Sequence, residues 1–308
     1  MAVESLYRPD FAGDWGTPRT AEGGIYGTDT LTRPDGTSLF FRFWQQPDPQ
    51  APVFVLLHGL GAHTGWFIDM GSALNERGLT VYKVDHRGFG RSSGPRGHVR
   101  RGTVFIEDIE AFLDEVNRRQ PGAPLFILGH SMGAIFAVNV AARDATMKRN
   151  RLSGVMVMNP WVRDTTKASL GVVLQVVGTG AFGSSRIVRL PSESATDQMT
   201  TNAEAARMLQ EDPYWVRERT ASFYYQIALG MRGQVLRRAR EVRAPALVIQ
   251  AEEDRSVVPA AAHQLFKALG SVDKSWKPLP GYEHDSEFQA NREALDNEIA
   301  DWVARHIA

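Results

Sequence analysis

The sequence contains no cysteine in 308 residues, which removes disulfide frameworks, thiolate zinc sites, iron–sulfur clusters and cysteine nucleophiles together. It also lacks an excess of either charge, because 35 Lys and Arg balance 35 Asp and Glu. No overall basic field exists to hold nucleic acid or an anionic membrane. Long hydrophobic runs are missing as well. The longest apolar stretch, Ala168 to Phe182, is interrupted by Gln175 and Thr179 and falls short of the ~20 residues a spanning helix needs. A peripheral membrane contact through that stretch is the reading it leaves open. The first residues place Glu4, Arg8 and Asp10 where a signal peptide needs an unbroken apolar segment, so the expected location is cytoplasmic.

What is present is a rhythm of strand, turn and helix. Apolar or alternating runs predict strands at Ile25–Thr32, Ser38–Trp44, Val53–His58, Thr80–Asp85, Leu125–Leu128, Val155–Met158, Ala246–Gln250 and Trp276–Leu279. The first two flank Pro34-Asp35-Gly36, a hairpin signal. Helical periodicity covers Val104–Arg118, Ser131–Ala145, Pro259–Leu269 and Glu287–Ile307. The alternation predicts an α/β fold: a mostly parallel central sheet with helices on both faces. Between residues 160 and 240 the rhythm breaks. Helical pieces at Ala168–Val177, Asn202–Gln210 and Tyr214–Leu229 occur there without a convincing strand, which reads as an inserted cap between core parts 1–159 and 241–308. Additional crossover helices of the core are the alternative.

Gly129-His130-Ser131-Met132-Gly133 follows a strand and precedes a helix, the context a G-x-S-x-G nucleophile elbow requires. A serine hydroxyl needs a neighbouring base to attack an acyl carbon, and histidine has the suitable pKa. Of eight histidines, His284 follows the last strand in a loop leading to the terminal helix, whereas His58 and His130 sit inside loop motifs and His263 inside a helix. His284 is therefore the expected base. Asp254, four residues past the strand ALVIQ, is the expected acid, with Glu252 and Glu253 as competitors. The loop His58-Gly59-Leu60-Gly61-Ala62 ends another strand. The backbone N–H groups of Leu60 and Met132 are the expected oxyanion donors. GxxxxGK[ST] and the Rossmann glycine spacing are absent, and no metal or organic cofactor is expected.

Those segments, with Asp85-His86-Arg87-Gly88-Phe89-Gly90-Arg91-Ser92 and Gly281-Tyr282-Glu283-His284, resemble α/β-hydrolases of the monoacylglycerol lipase and bacterial lysophospholipase group. The resemblance runs from about Ser38 to the C-terminus. It implies a helical cap between the sixth and seventh core strands, matching 160–240. It also implies that Asp85 and Arg87 anchor a turn beside the oxyanion loop and do no chemistry. The chain departs from many relatives at Ala251, where glycine is common, and at Asp285, where glutamate is frequent.

The expected function is serine-dependent hydrolysis of the ester in a monoacyl lipid, a monoacylglycerol or a lysophospholipid, through an acyl-serine. Amide or peptide hydrolysis, acyl transfer on the same triad, and a non-catalytic ligand receptor stay open. Leu170 and Leu174, four apart in the apolar cap stretch, share a helical face expected to line the acyl pocket. Arg186 and Arg189 could meet a head-group phosphate or be solvated surface charges.

Overall fold

The computed structural model describes residues 14–165, 168–188 and 198–307. Ten strands and nine α-helices follow one another among these residues. The core strands are β1 (Ile25–Thr32), β2 (Ser38–Gln45), β3 (Val53–Leu57), β4 (Thr80–Val84), β5 (Leu125–His130) and β6 (Gly154–Met158). After the short pair β7 (Ile187–Val188) and β8 (Arg219–Thr220) come β9 (Ala246–Ala251) and β10 (Lys274–Leu279). The main sheet has eight strands in the order β1-β2-β4-β3-β5-β6-β9-β10. The β1–β2 and β2–β4 pairs are antiparallel and the rest are parallel.

The continuous apolar strands are buried on both faces, as their sequences require. In β3, Val53, Val55 and Leu57 join one core, while Phe54 and Leu56 join the other. Helices α2 (Thr103–Arg119), α3 (Met132–Thr146) and α8 (Pro259–Ala268) cover the first face, and α1 (Ile68–Glu76) and α9 (Arg292–Arg305) the second. In α2 the buried residues Phe105, Ile106, Ile109, Phe112, Leu113 and Val116 form the stripe that a 3.6-residue period predicts.

Between β6 and β9 lie α4 (Leu170–Gly180), α5 (Ala203–Glu211), α6 (Ala221–Tyr224) and α7 (Val235–Ala239). Here the structure departs from sequence periodicity. The helix expected from Tyr214 begins at Ala221, because the Thr220 side chain caps it by accepting from the Phe223 N–H. The preceding residues pair instead, Arg219–Thr220 with Ile187–Val188. The terminal helix starts at Arg292 and not at Glu287, after a 3₁₀ turn at Ser286–Phe288 that packs Phe288 against Trp15 and Trp66.

The order of the sheet decides what can meet. Strands β3, β5, β6, β9 and β10 are successive neighbours and parallel. The loops leaving their C-terminal ends therefore emerge along one edge, where α/β sheets build their sites.

Candidate active site

Ser131 sits between β5 and α3 at φ 53° and ψ −111°, a conformation that costs a non-glycine residue energy. Close approach explains the flanking glycines. A Cβ on Gly129 would lie 2.1 Å from the Gly133 carbonyl oxygen, and one on Gly133 would lie 2.2 Å from the Leu57 carbonyl oxygen. The elbow is fastened on both sides. The Ser131 N–H donates to the Met158 carbonyl at 2.9 Å, and the Ser131 carbonyl accepts from the Trp161 N–H at 3.2 Å.

His284, on the loop after β10, places Nε2 3.0 Å from Ser131 Oγ and Nδ1 2.8 Å from Asp254 Oδ2. All three side chains are buried. Asp254 Oδ1 accepts from the N–H groups of Ser256 and Val257, both at 2.8 Å, which fixes the carboxylate with Oδ2 turned to the imidazole. Glu252 and Glu253 are exposed. Burial by itself would lower the His284 pKa, but the charge and hydrogen bond of Asp254 and the charge of Asp285 outweigh it and hold the imidazole above the ordinary histidine value.

The loop after β3 lies against Ser131, since a Cβ on Gly59 would stand 3.2 Å from Ser131 Cβ. Among the described residues, neither the Leu60 nor the Met132 N–H donates to another protein group. Asp85 takes the N–H groups of Thr64 at 2.6 Å and Arg91 at 2.7 Å. Arg87 pairs with Asp108 and Asp35.

The other buried histidines hold backbone. His58 accepts at Nε2 from the His86 N–H at 3.0 Å, so its Nδ1 donates to the Gly59 carbonyl at 2.8 Å. Burial depresses His58 to about 4 and His130 to about 3. His130 Nε2 donates to the His284 carbonyl at 3.0 Å. His130, His284 and Asp285 offer ligand atoms close together, yet both His284 nitrogens are engaged by Asp254 and Ser131. That donor set is arranged for proton transfer and not for an ion.

Sequence reasoning overlooked Asn159. It occupies the left-handed region at φ 46°, which asparagine tolerates better than most residues, and its side chain bonds both the His284 carbonyl and the Ala251 N–H. An Asn-Pro pair ending a buried strand was the available signal.

One expectation is overturned. Leu170 and Leu174 are 73% and 62% exposed and face away from the interior. Val172 and Val176, on the opposite face of α4, and the partly exposed Val173 at its margin line a cavity of about 420 Å³, together with Trp161, Tyr224 and Ala228. Four-residue spacing identifies residues that share a face but not which way the face points. Arg186 is exposed, and Arg189 lies outside the described residues.

A profile described as serine aminopeptidase, S33, matches residues 48–290. The chain belongs to this family. It is an α/β-hydrolase of the serine-hydrolase class. It is similar to a monoacylglycerol lipase of Mycolicibacterium smegmatis, 26% identical over 275 residues, covering 88% of this chain and 95% of that one. It is also similar to human monoglyceride lipase, 28% identical over 291 residues and covering 90% of each. A soluble variant of monoglyceride lipase from Saccharomyces cerevisiae, solved with a substrate analogue, superposes with a TM-score of 0.78 at 20% identity. It covers 91% of this chain and 95% of that one, a likeness of fold.

Proposed function

We propose that this S33 hydrolase cleaves the ester of a monoacyl lipid, a monoacylglycerol or lysophospholipid, with Ser131 as nucleophile. His284 Nε2 takes the Ser131 proton as Oγ bonds to the acyl carbon. Asp254 holds the tautomer and stabilises the imidazolium. The carbonyl π pair moves to oxygen, where the N–H groups of Leu60 and Met132 receive it. Collapse expels the alcohol, which takes the proton from His284 and leaves an acyl-serine. Water then attacks with His284 as base, and Ser131 regains its proton as the fatty acid departs.

The observation that carries the substrate reading is the cavity beside the elbow. Trp161, whose N–H bonds the Ser131 carbonyl, forms part of its wall. Beyond it lie the valines of α4, Tyr224 and Ala228, apolar surface on which each buried methylene contributes about 0.8 kcal/mol. The family description includes aminopeptidases, which must hold a substrate's ammonium group. Asp164 lines this cavity but is engaged by Arg232 and Trp161, which favours an acyl chain. The names of the lipase relatives point the same way.

In this reading the described residues between 160 and 240 form the cap over the acyl chain. Leu170, Leu174 and the 89% exposed Phe182 make an outward apolar surface suited to the substrate's lipid aggregate. No described helix is long and apolar enough to cross a membrane. A panel of short and long chromogenic esters, monoacylglycerol, lysophosphatidylcholine and an aminoacyl amide tests the proposal. Turnover fastest on a long monoacyl ester supports it, and turnover fastest on the amide overturns it.

A further inference from the structure

The loop carrying Leu60 contains two glycines, and a donor is useful only if it is held before charge develops. From the sheet side, Asp85 accepts the Thr64 N–H. From the segment after α5, the Val216 N–H donates to the Gly61 carbonyl at 3.0 Å. A buried side-chain tie completes the fastening. His63 Nδ1 accepts from the Gly65 N–H at 3.1 Å, which places its proton on Nε2. That proton is donated to Asp212 Oδ2 at 2.7 Å.

The same oxygen accepts from Trp66 Nε1 at 2.6 Å, while Oδ1 accepts the Tyr214 N–H at 2.8 Å. His63, Trp66 and Asp212 are each at most 4% exposed. Burial would raise the Asp212 pKa, but its hydrogen bonds to His63, Trp66 and Tyr214 outweigh that and lower it. The group is a carboxylate at neutral pH, with two donors on Oδ2 and one on Oδ1. An amide could not replace it, having one acceptor oxygen and an NH₂ that would face a donor.

We propose that Asp212, reaching in from the cap block, is a positioning residue that holds the oxyanion loop through His63 and Trp66 and so aims the Leu60 N–H at the reacting carbonyl. The proposal rests on the serine-hydrolase reading of Ser131 and Leu60. Its consequence is that the cap block takes part in chemistry even for substrates too short to touch the acyl cavity.

The test uses a chromogenic acetyl ester with a trifluoromethyl ketone as the tetrahedral mimic. Removing one oxyanion donor costs about 100- to 1,000-fold in kcat, so misaiming one by Asp212→Asn should cost about 10- to 100-fold, with KM little changed. Affinity for the ketone should fall in proportion to kcat/KM, because only the tetrahedral state uses the donor. Trp66→Phe keeps the His63 tie and should show the same pattern, more weakly. Glu211→Gln, next in sequence but in an exposed pair, should match wild type.

A folded Asp212→Asn enzyme with unchanged kcat and ketone affinity, or with a loss confined to KM, overturns the proposal. If Asp212→Asn does not fold, Trp66→Phe decides by the same criteria. Fluorophosphonate labelling of the wild type separates two failures. Without labelling at Ser131 the underlying reading falls, and with labelling but an unaffected Asp212→Asn only the positioning role falls.

Discussion

The Asn159 amide lies 2.6 Å from the His284 carbonyl through Nδ2, while its Oδ1 accepts the Ala251 N–H at 2.8 Å. One side chain at the end of β6 thus ties the His284 loop to the strand that leads to Asp254. Asn159→Ala should lower kcat by about tenfold to a hundredfold, the range that displacement of a reacting group by ~1 Å produces. It should also reduce the melting temperature, because buried polar groups lose their partners. Kinetics with thermal melts check both, and an unchanged kcat would remove Asn159 from the account.

The acid limb of the pH profile reports on His284. An imidazolium cannot accept the serine proton, so kcat/KM should fall as pH drops through a value above the ordinary ~6.5. Asp285 contributes to that elevation by its charge, although burial pushes its own pKa up to about 7. The groups facing it are His284, Asp254, Glu283 and Glu287, with His130 Nε2 3.9 Å away. Asp285→Asn should move the limb to lower pH. A midpoint below 6.5 in the wild type, or one that Asp285→Asn leaves in place, contradicts this account of the charge balance.

The two faces of α4 should separate in kinetics. Val176 is buried and lines the cavity, so Val176→Phe should lower kcat/KM on decanoyl esters about tenfold, a cost of ~1.4 kcal/mol within the range of overpacking, and spare acetyl esters. Leu174 faces outward. Leu174→Asp should leave soluble esters unaffected and slow turnover only when substrate is presented in vesicles. Equal losses on both soluble esters for Val176→Phe, with an unchanged melting curve, would show that the acyl chain runs elsewhere.

The core was legible because its signals are local. VFVLL and LFIL are apolar on every residue, and a strand buried on both faces needs such a run. The Ser131 elbow is legible because two glycines and a strand–helix boundary must coincide there. Asp254 and His284 are placed by chain order and by the strands they follow. Long-range choices were not legible. Nothing in the sequence of α4 says which side meets the core, so the spacing of Leu170 and Leu174 does not reveal that they point outward. Nothing near Asp212 reveals a partner 149 residues earlier, and Asn159 acquires its role only when β6 lies between β5 and β9.

The proposed mechanism requires that Ser131 form the acyl-enzyme. Intact-protein and peptide mass spectrometry after mixing with a slowly deacylating long-chain ester should find one acyl group, on Ser131. Ser131→Ala should carry none and retain the wild-type melting curve, with turnover lower by about a millionfold. An adduct on another residue, or Ser131→Ala turnover above about a thousandth of wild type, would contradict the account.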